Sequence, residues 1–77
     1  MTTLTPSARI KAAMSARLAR LRAERELTQE ELARAIGYSV QSIYNCERGS
    51  HVPCTELLFA LADALGCSMD YLCGRRE

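Results

Sequence analysis

Two residues in the middle of the chain, a small one and a glycine four positions later, constrain its fold more than any other feature. They lie in QEELARAIGYSVQSIYNCERG, residues 29–49. Two helices joined by a turn of about three residues cross steeply, so the residue where their axes come closest must be small, and Ala33 fits that place. Gly37 fits the sharp turn that follows, because glycine adopts a left-handed backbone conformation easily. The spacing predicts two short helices packed across a tight turn.

Glycine and proline divide the rest of the chain in the same way, and residues that cap helices follow them. Thr28 with Glu31 forms the capping box T-x-x-E, and Thr5 precedes a proline at the first helical position. No segment shows sustained strand alternation. The sequence therefore predicts an all-α fold of five helices, over residues 6–25, 29–36, 40–48, 55–65 and 69–73, with Thr5, Thr28, Ser39 and Ser68 as caps and with Thr55 opening the fourth helix.

A single simple core is all that a chain of 77 residues can build. Helical spacing predicts that its apolar stripe consists of Ile10, Met14, Leu18, Leu21, Leu32, Ala33, Ile36, Ile43, Cys46, Leu58, Leu61, Ala62 and Leu65. The longest apolar run, residues 57–62, is too short to span a bilayer, and the N-terminus has no apolar block of a signal peptide. We expect a cytoplasmic protein without a membrane partner.

The four cysteines and the single histidine do not form a recognisable ligand set. No C-x-x-C pair occurs among Cys46, Cys54, Cys67 and Cys73, and His51 belongs to no repeated pattern. We therefore expect reduced cysteines in small apolar positions, no metal and no cofactor. The chain also has no paired carboxylates in an apolar setting, no phosphate loop and no nucleophile beside a base, so an enzyme is not expected.

Charge is distributed unevenly along the chain. Residues 1–25 carry six basic side chains and one acidic, and the remaining residues carry four basic and eight acidic, so +5 and −4 sum to the net charge of +1. A basic segment suits an anionic partner that touches one face of the protein. A solvated helix face explains the same pattern, and charge alone does not decide between the two.

Several stretches in order resemble one known family. They are LRAERELTQEELARAIG, SIYNCERG, the proline at position 53 and LADALGCSMDYL. Together they resemble the phage-repressor and Cro type of helix-turn-helix protein, the 434-like or xenobiotic-response-element family, from about Arg17 to Gly74. The resemblance implies a compact lambda-repressor-like DNA-binding domain at 16–74, preceded by an N-terminal extension of the first helix at 1–15 and followed by a tail at 75–77.

The resemblance also implies a DNA-binding site at the start of the third helix. Residues 40, 41, 44, 45 and 48 share one surface of that helix, so periodicity and resemblance indicate the same side chains. Gln41 and Asn45 can each bond adenine, and Val40 can pack on a thymine methyl group. The expected DNA contacts, with a phosphate anchor at the start of the second helix, are Gln29, Ser39, Val40, Gln41, Ser42, Tyr44, Asn45 and Arg48.

Three further expectations concern structure. By resemblance, Arg22 and Glu47 form a partly buried ion pair between the first and third helices. Glu26 stands where the family usually has glycine, which predicts a strained turn or a different cap. Cys46 replaces a larger apolar residue, which predicts tighter packing or a small void.

The function implied is a transcriptional regulator, a repressor that binds an inverted-repeat double-stranded DNA operator as a homodimer. The predicted dimer interface consists of Phe59, Met69, Tyr71 and Leu72, with Ile10 and Met14 as an alternative cover for the last two. A second interpretation is an antitoxin-like or anti-repressor-bound module of the same fold, which has an unknown protein partner.

Overall fold

Each predicted helix is present, and a side chain caps the start of each one. The computed structural model describes residues 5–75, which form α1 (Pro6–Glu24), α2 (Gln29–Ile36), α3 (Val40–Glu47), α4 (Thr55–Leu65) and α5 (Met69–Leu72). At α2 the Thr28 hydroxyl accepts the Glu31 N–H at 3.0 Å, and the Glu31 carboxylate accepts the Thr28 N–H at 2.8 Å. The hydrogen bond from the Thr28 N–H to the carboxylate lowers the pKa of Glu31. The all-α prediction is confirmed over these residues, while 1–4 and 76–77 of the predicted extension and tail lie outside them.

α4 begins at Thr55, as predicted, and its cap is a cysteine. Cys54 precedes the helix, and its Sγ accepts the N–H of Leu57 at 3.4 Å. Its side chain is exposed, whereas Cys46 is buried, and burial raises the pKa of the Cys46 thiol. All four cysteines are free thiols, but the prediction that they fill apolar positions is wrong for Cys54, because its sulfur serves as a helix cap.

The five helices of residues 5–75 all end in one hydrogen-bond pattern. The amide just after each end bonds the carbonyl five residues earlier, as in Tyr38 N–H to the Ala33 carbonyl at 3.0 Å. The residue before that amide is left-handed, with φ 75° at Gly37. At the end of α1 the same place is taken by Glu26 with φ 55°. The predicted strain in that turn is therefore confirmed.

Every helix contributes to one core. The buried apolar residues are Met14, Leu18, Leu21, Leu32, Ala33, Ile43, Cys46, Leu57, Leu61, Ala62, Leu65 and Leu72. On α4 the buried stripe begins at Leu57, while the predicted Leu58 is only partly buried. α3 packs against α1 and α2, α4 packs against α2 and α5, and α5 returns to α1. One face of α3 is therefore fixed by the core.

The first half of α1 is covered by its own chain. α1 runs without interruption through the predicted boundary at residue 15, and Met14 is fully buried with Ile10 packed beside the core. The end of α5 crosses it so closely that a Cβ on Gly74 would lie 2.8 Å from Ala13 Cβ. Leu72 is fully buried in the core. The prediction that Leu72 lies in a dimer interface is therefore wrong, because its side chain is not accessible to a second chain.

Candidate nucleic-acid interface

The outer face of α3 presents the side chains that the sequence predicted. Ile43 and Cys46 point into the core, whereas Val40 is 42% exposed and Tyr44 46% exposed. Gln41 and Arg48 are also exposed, and Asn45 is half-buried at one edge of the face. This division follows the period of the α-helix, in which residues three and four apart share a side. The face is a mixed apolar and amide surface on a helix of eight residues.

The two predicted serine contacts are engaged at the start of α3. The Ser42 N–H bonds the Ser39 hydroxyl at 3.2 Å, and the two hydroxyl oxygens lie 3.0 Å apart. Ser39 is thus the N-cap of the helix. Ser39 and Ser42 thus contact each other within the protein itself.

A hydrogen bond joins the two side-chain amides of the outer face, and two further bonds hold the backbone of Asn45. The Nε2 of Gln41 donates to the Oδ1 of Asn45 at 3.0 Å. The backbone carbonyl of Asn45 accepts both the N–H and the hydroxyl of Ser50, each at 3.1 Å. The guanidinium of Arg48 lies 5.6 Å from the ring centroid of Tyr44, within the range of a cation–π contact.

The predicted ion pair between α1 and α3 is present. Arg22 Nε lies 2.7 Å from one oxygen of Glu47, and Arg22 Nη2 lies 3.2 Å from the other. The side chains are only 19% and 9% exposed. The hydrogen bond to Glu47 raises the pKa of Arg22. Because the contact is bidentate and mostly shielded from water, it fixes the position of α3 on α1.

Gln29 joins this pair, which sequence reasoning did not anticipate. Its Nε2 donates to a Glu47 oxygen at 2.9 Å, and Arg22 also donates to the carbonyl of Leu27 at 2.7 Å. Gln29 therefore has a partner on α3 in addition to its predicted role as a phosphate anchor. No sequence signal identifies this bond, because Gln29 and Glu47 are 18 residues apart.

A groove of about 260 Å³ runs beside α3, between that helix and the start of α4. Its wall includes Cys46, for which the sequence predicted tighter packing or a small void. The lining residues are Ser42, Asn45, Cys46, His51, Val52, Pro53, Cys54 and Leu57.

A hydrogen bond joins the turn before α3 to α4. The Tyr38 hydroxyl donates to Glu56 at 2.8 Å, and this bond raises the pKa of Tyr38 to about 12.

The remaining residues of the predicted dimer interface differ in exposure. Phe59 on α4 is 61% exposed, and Met69 and Tyr71 are half-buried. The guanidinium of Arg17 lies 4.4 Å from the Tyr71 ring centroid, and Arg20 donates to the Tyr71 hydroxyl. Tyr71 thus contacts α1 of its own chain, and Phe59 is the most accessible of the set.

Comparison with known proteins agrees with this geometry. A family model described as a helix-turn-helix domain matches residues 13–72. The chain belongs to this family. The match spans α2 to α5 and the part of α1 from residue 13 onward, and it confirms the resemblance to repressor-type helix-turn-helix proteins. No helix within residues 5–75 combines the length and apolar character that crossing a membrane requires.

Relatives in the helix-turn-helix family include regulators of transcription. The chain is 48% identical over 50 residues to the uncharacterised HTH-type transcriptional regulator y4dJ of Sinorhizobium fredii, which covers 65% of each protein. It is 44% identical over 59 residues to the cryptic phage CTXphi transcriptional repressor RstR of Vibrio cholerae, which covers 77% of this chain and 53% of RstR. The chain thus spans less than two thirds of either relative.

The solved structure of a gene regulator is also similar. The clp gene regulator ClgR from Corynebacterium glutamicum superposes with a TM-score of 0.71 at 30% identity, over 92% of this chain and 71% of ClgR. Its similarity thus extends over most of this chain.

Proposed function

We propose that this helix-turn-helix protein is a sequence-specific DNA-binding transcriptional regulator, a repressor that binds an inverted-repeat operator as a homodimer. The observation that carries the proposal is the outer face of α3. Gln41 and Asn45 offer amides suited to base edges, and the exposed Val40 offers an apolar contact for a thymine methyl group. The core holds the opposite face of this helix, so the outer face is free to enter a major groove.

Groups suited to the DNA backbone flank this face. Arg48 is exposed beside Tyr44. Gln29 stands at the first position of α2 and, after donating one N–H to Glu47, keeps a second N–H for a phosphate. The basic residues concentrated in positions 1–25 add attraction for a polyanion. The similarity to RstR, a transcriptional repressor, supports the same function.

The dimer rests on the exposed apolar surface of α4 and α5. Phe59 is 61% exposed, and Met69 is half-buried at the start of α5. Two copies joined through this surface by a two-fold axis place their α3 helices in successive major grooves, about 34 Å apart. An operator read in this way is an inverted repeat with half-sites about one helical turn apart.

Selection from a random pool of double-stranded DNA tests the proposal. The expected result is an inverted repeat. Gln41→Ala should then cost about 1 to 3 kcal/mol on the selected site and relax the preference at one position. Gln29→Ala should weaken binding to all sequences alike, because phosphates carry no sequence.

Three controls make the test decisive. Thermal unfolding of each variant separates lost contacts from lost fold. Phe59→Asp should reduce cooperative binding to the full site and leave the fold intact, and scrambling one half-site should weaken binding by the wild-type protein. A pool that yields no preferred sequence contradicts DNA recognition, and unchanged affinity for the scrambled site contradicts the dimer.

A further inference from the structure

The hydrogen bond between the two amides of the outer face of α3 determines which of their atoms remain available to a ligand. Gln41 Nε2 donates to Asn45 Oδ1 at 3.0 Å. A side-chain amide has two N–H donors and one carbonyl oxygen with two lone pairs. Gln41 therefore keeps one N–H and its Oε1, whereas Asn45 keeps both N–H groups and has part of its acceptor capacity occupied. The two amides present different patterns although their chemistry is the same.

Asn45 is the more firmly held of the two. It is half-buried and lines the groove beside α3, and Ser50 donates twice to its backbone carbonyl. Gln41 is exposed, and its side chain has more rotatable bonds. The bond to Asn45 therefore restrains the Gln41 amide before any ligand arrives, which lowers the entropy lost when the amide binds.

We infer that Gln41 and Asn45 read DNA as one coupled unit, in which Asn45 orients Gln41 toward adenine and itself selects guanine one or two base steps away. The inference rests on the proposed function. One acceptor and one donor on Gln41 match the N6–H and N7 of adenine, and the two donors of Asn45 match the O6 and N7 acceptors of guanine. Four helical residues advance about 6 Å, and one base step advances about 3.4 Å, which sets the separation of the two bases.

Two substitutions at position 45 separate orientation from base contact. Asn45→Asp has nearly the same shape and still accepts the Gln41 N–H, but it has no donor. It should keep the adenine preference of Gln41 within about twofold of wild type, and it should replace guanine by cytosine at the other position, because a carboxylate accepts the cytosine N4–H. Asn45→Leu has no acceptor. It should lose the guanine preference and also reduce the adenine preference about tenfold.

The measurement is the ratio of affinities for sites that differ at one base, determined for each variant. Arg48→Gln is the matched control for Asn45→Asp, because each substitution changes the net charge by −1 on the same face, and Arg48 has no bond to Gln41 in the structure. Arg48→Gln should weaken binding to all sites and leave both affinity ratios unchanged. A double-mutant cycle of Gln41→Ala and Asn45→Ala should give a loss smaller than the product of the single losses.

The possible results are distinct. If wild-type protein selects no sequence, the proposed function and the coupled unit are both wrong. If wild-type protein selects a sequence but Asn45→Leu keeps the adenine ratio, or the cycle shows independent losses, DNA recognition stands and the coupling is overturned. If Asn45→Asp loses the adenine preference as fully as Asn45→Leu does, the coupling is also overturned, because the acceptor at position 45 would then have no role.

Discussion

The turns that follow α1 and α2 share one hydrogen-bond pattern but use different residues to make it. The N–H of Leu27 bonds the Arg22 carbonyl at 3.1 Å, and the N–H of Tyr38 bonds the Ala33 carbonyl at 3.0 Å. In the second turn the left-handed residue is Gly37, which adopts this conformation at little cost. In the first it is a glutamate, for which the same conformation costs about 1 to 2 kcal/mol.

The difference shows two ways to stabilise a tight turn. Around Gly37 the geometry is local, because a Cβ added there would meet nothing within 4 Å. The first turn is held by side chains from elsewhere: Arg22 donates to the Leu27 carbonyl and pairs with Glu47 on α3. Tertiary contacts thus compensate for an unfavourable residue in one turn, whereas in the other the left-handed position is occupied by a glycine that adopts it at little cost.

Glu47→Ala should have the largest effect, because it leaves the Arg22 charge and the Gln29 N–H without their partner. We expect a loss of about 3 kcal/mol in the free energy of unfolding, measured by urea denaturation. The matched control is Glu24→Ala in the exposed pair with Arg20, whose ends are 3.9 Å apart and 55% and 57% exposed; it should cost less than about 1 kcal/mol. A double-mutant cycle of Arg22 and Glu47 with coupling near zero would show that the pair does not hold the first turn.

Gly37→Ala should cost about 1 to 2 kcal/mol, since alanine must adopt the left-handed conformation that glycine adopts freely. The loss should come from the backbone alone, because the new methyl group contacts nothing within 4 Å. Gly37→Asn is the control and should cost less, since asparagine tolerates this conformation better. Equal losses for the two variants would contradict a purely local origin.

Glu26→Gly should change stability least and in the opposite direction. Glycine relieves the strain at φ 55°, but its greater freedom in the unfolded chain offsets part of the gain, so we expect about 0.5 to 1 kcal/mol of stabilisation. Thermal or urea unfolding measures it. The gain should persist in the Glu47→Ala background, because the strain lies in the backbone. A destabilised Glu26→Gly protein would mean that the glutamate makes a favourable contact of its own.

Local chemistry explains which parts of the fold could be predicted. Thr28 with Glu31 begins α2, Gly37 ends it and Ser39 begins α3, and each acts within three or four residues of its own position. The outward direction of Gln41 follows from the helical period once Ile43 faces the core. The Arg22–Glu47 pair was predicted only through resemblance, because 25 residues separate its members.

The sequence by itself determined the five helices, the caps of four of them, the tight turn before α3 and the side chains on the outer face of α3, because each depends on neighbours along the chain. Only the tertiary structure decided that Gln29 bonds Glu47, that Leu57 rather than Leu58 faces the core and that Leu72 is buried in the core. These outcomes depend on the rotation and distance between helices, which are set by how all the apolar stripes pack together.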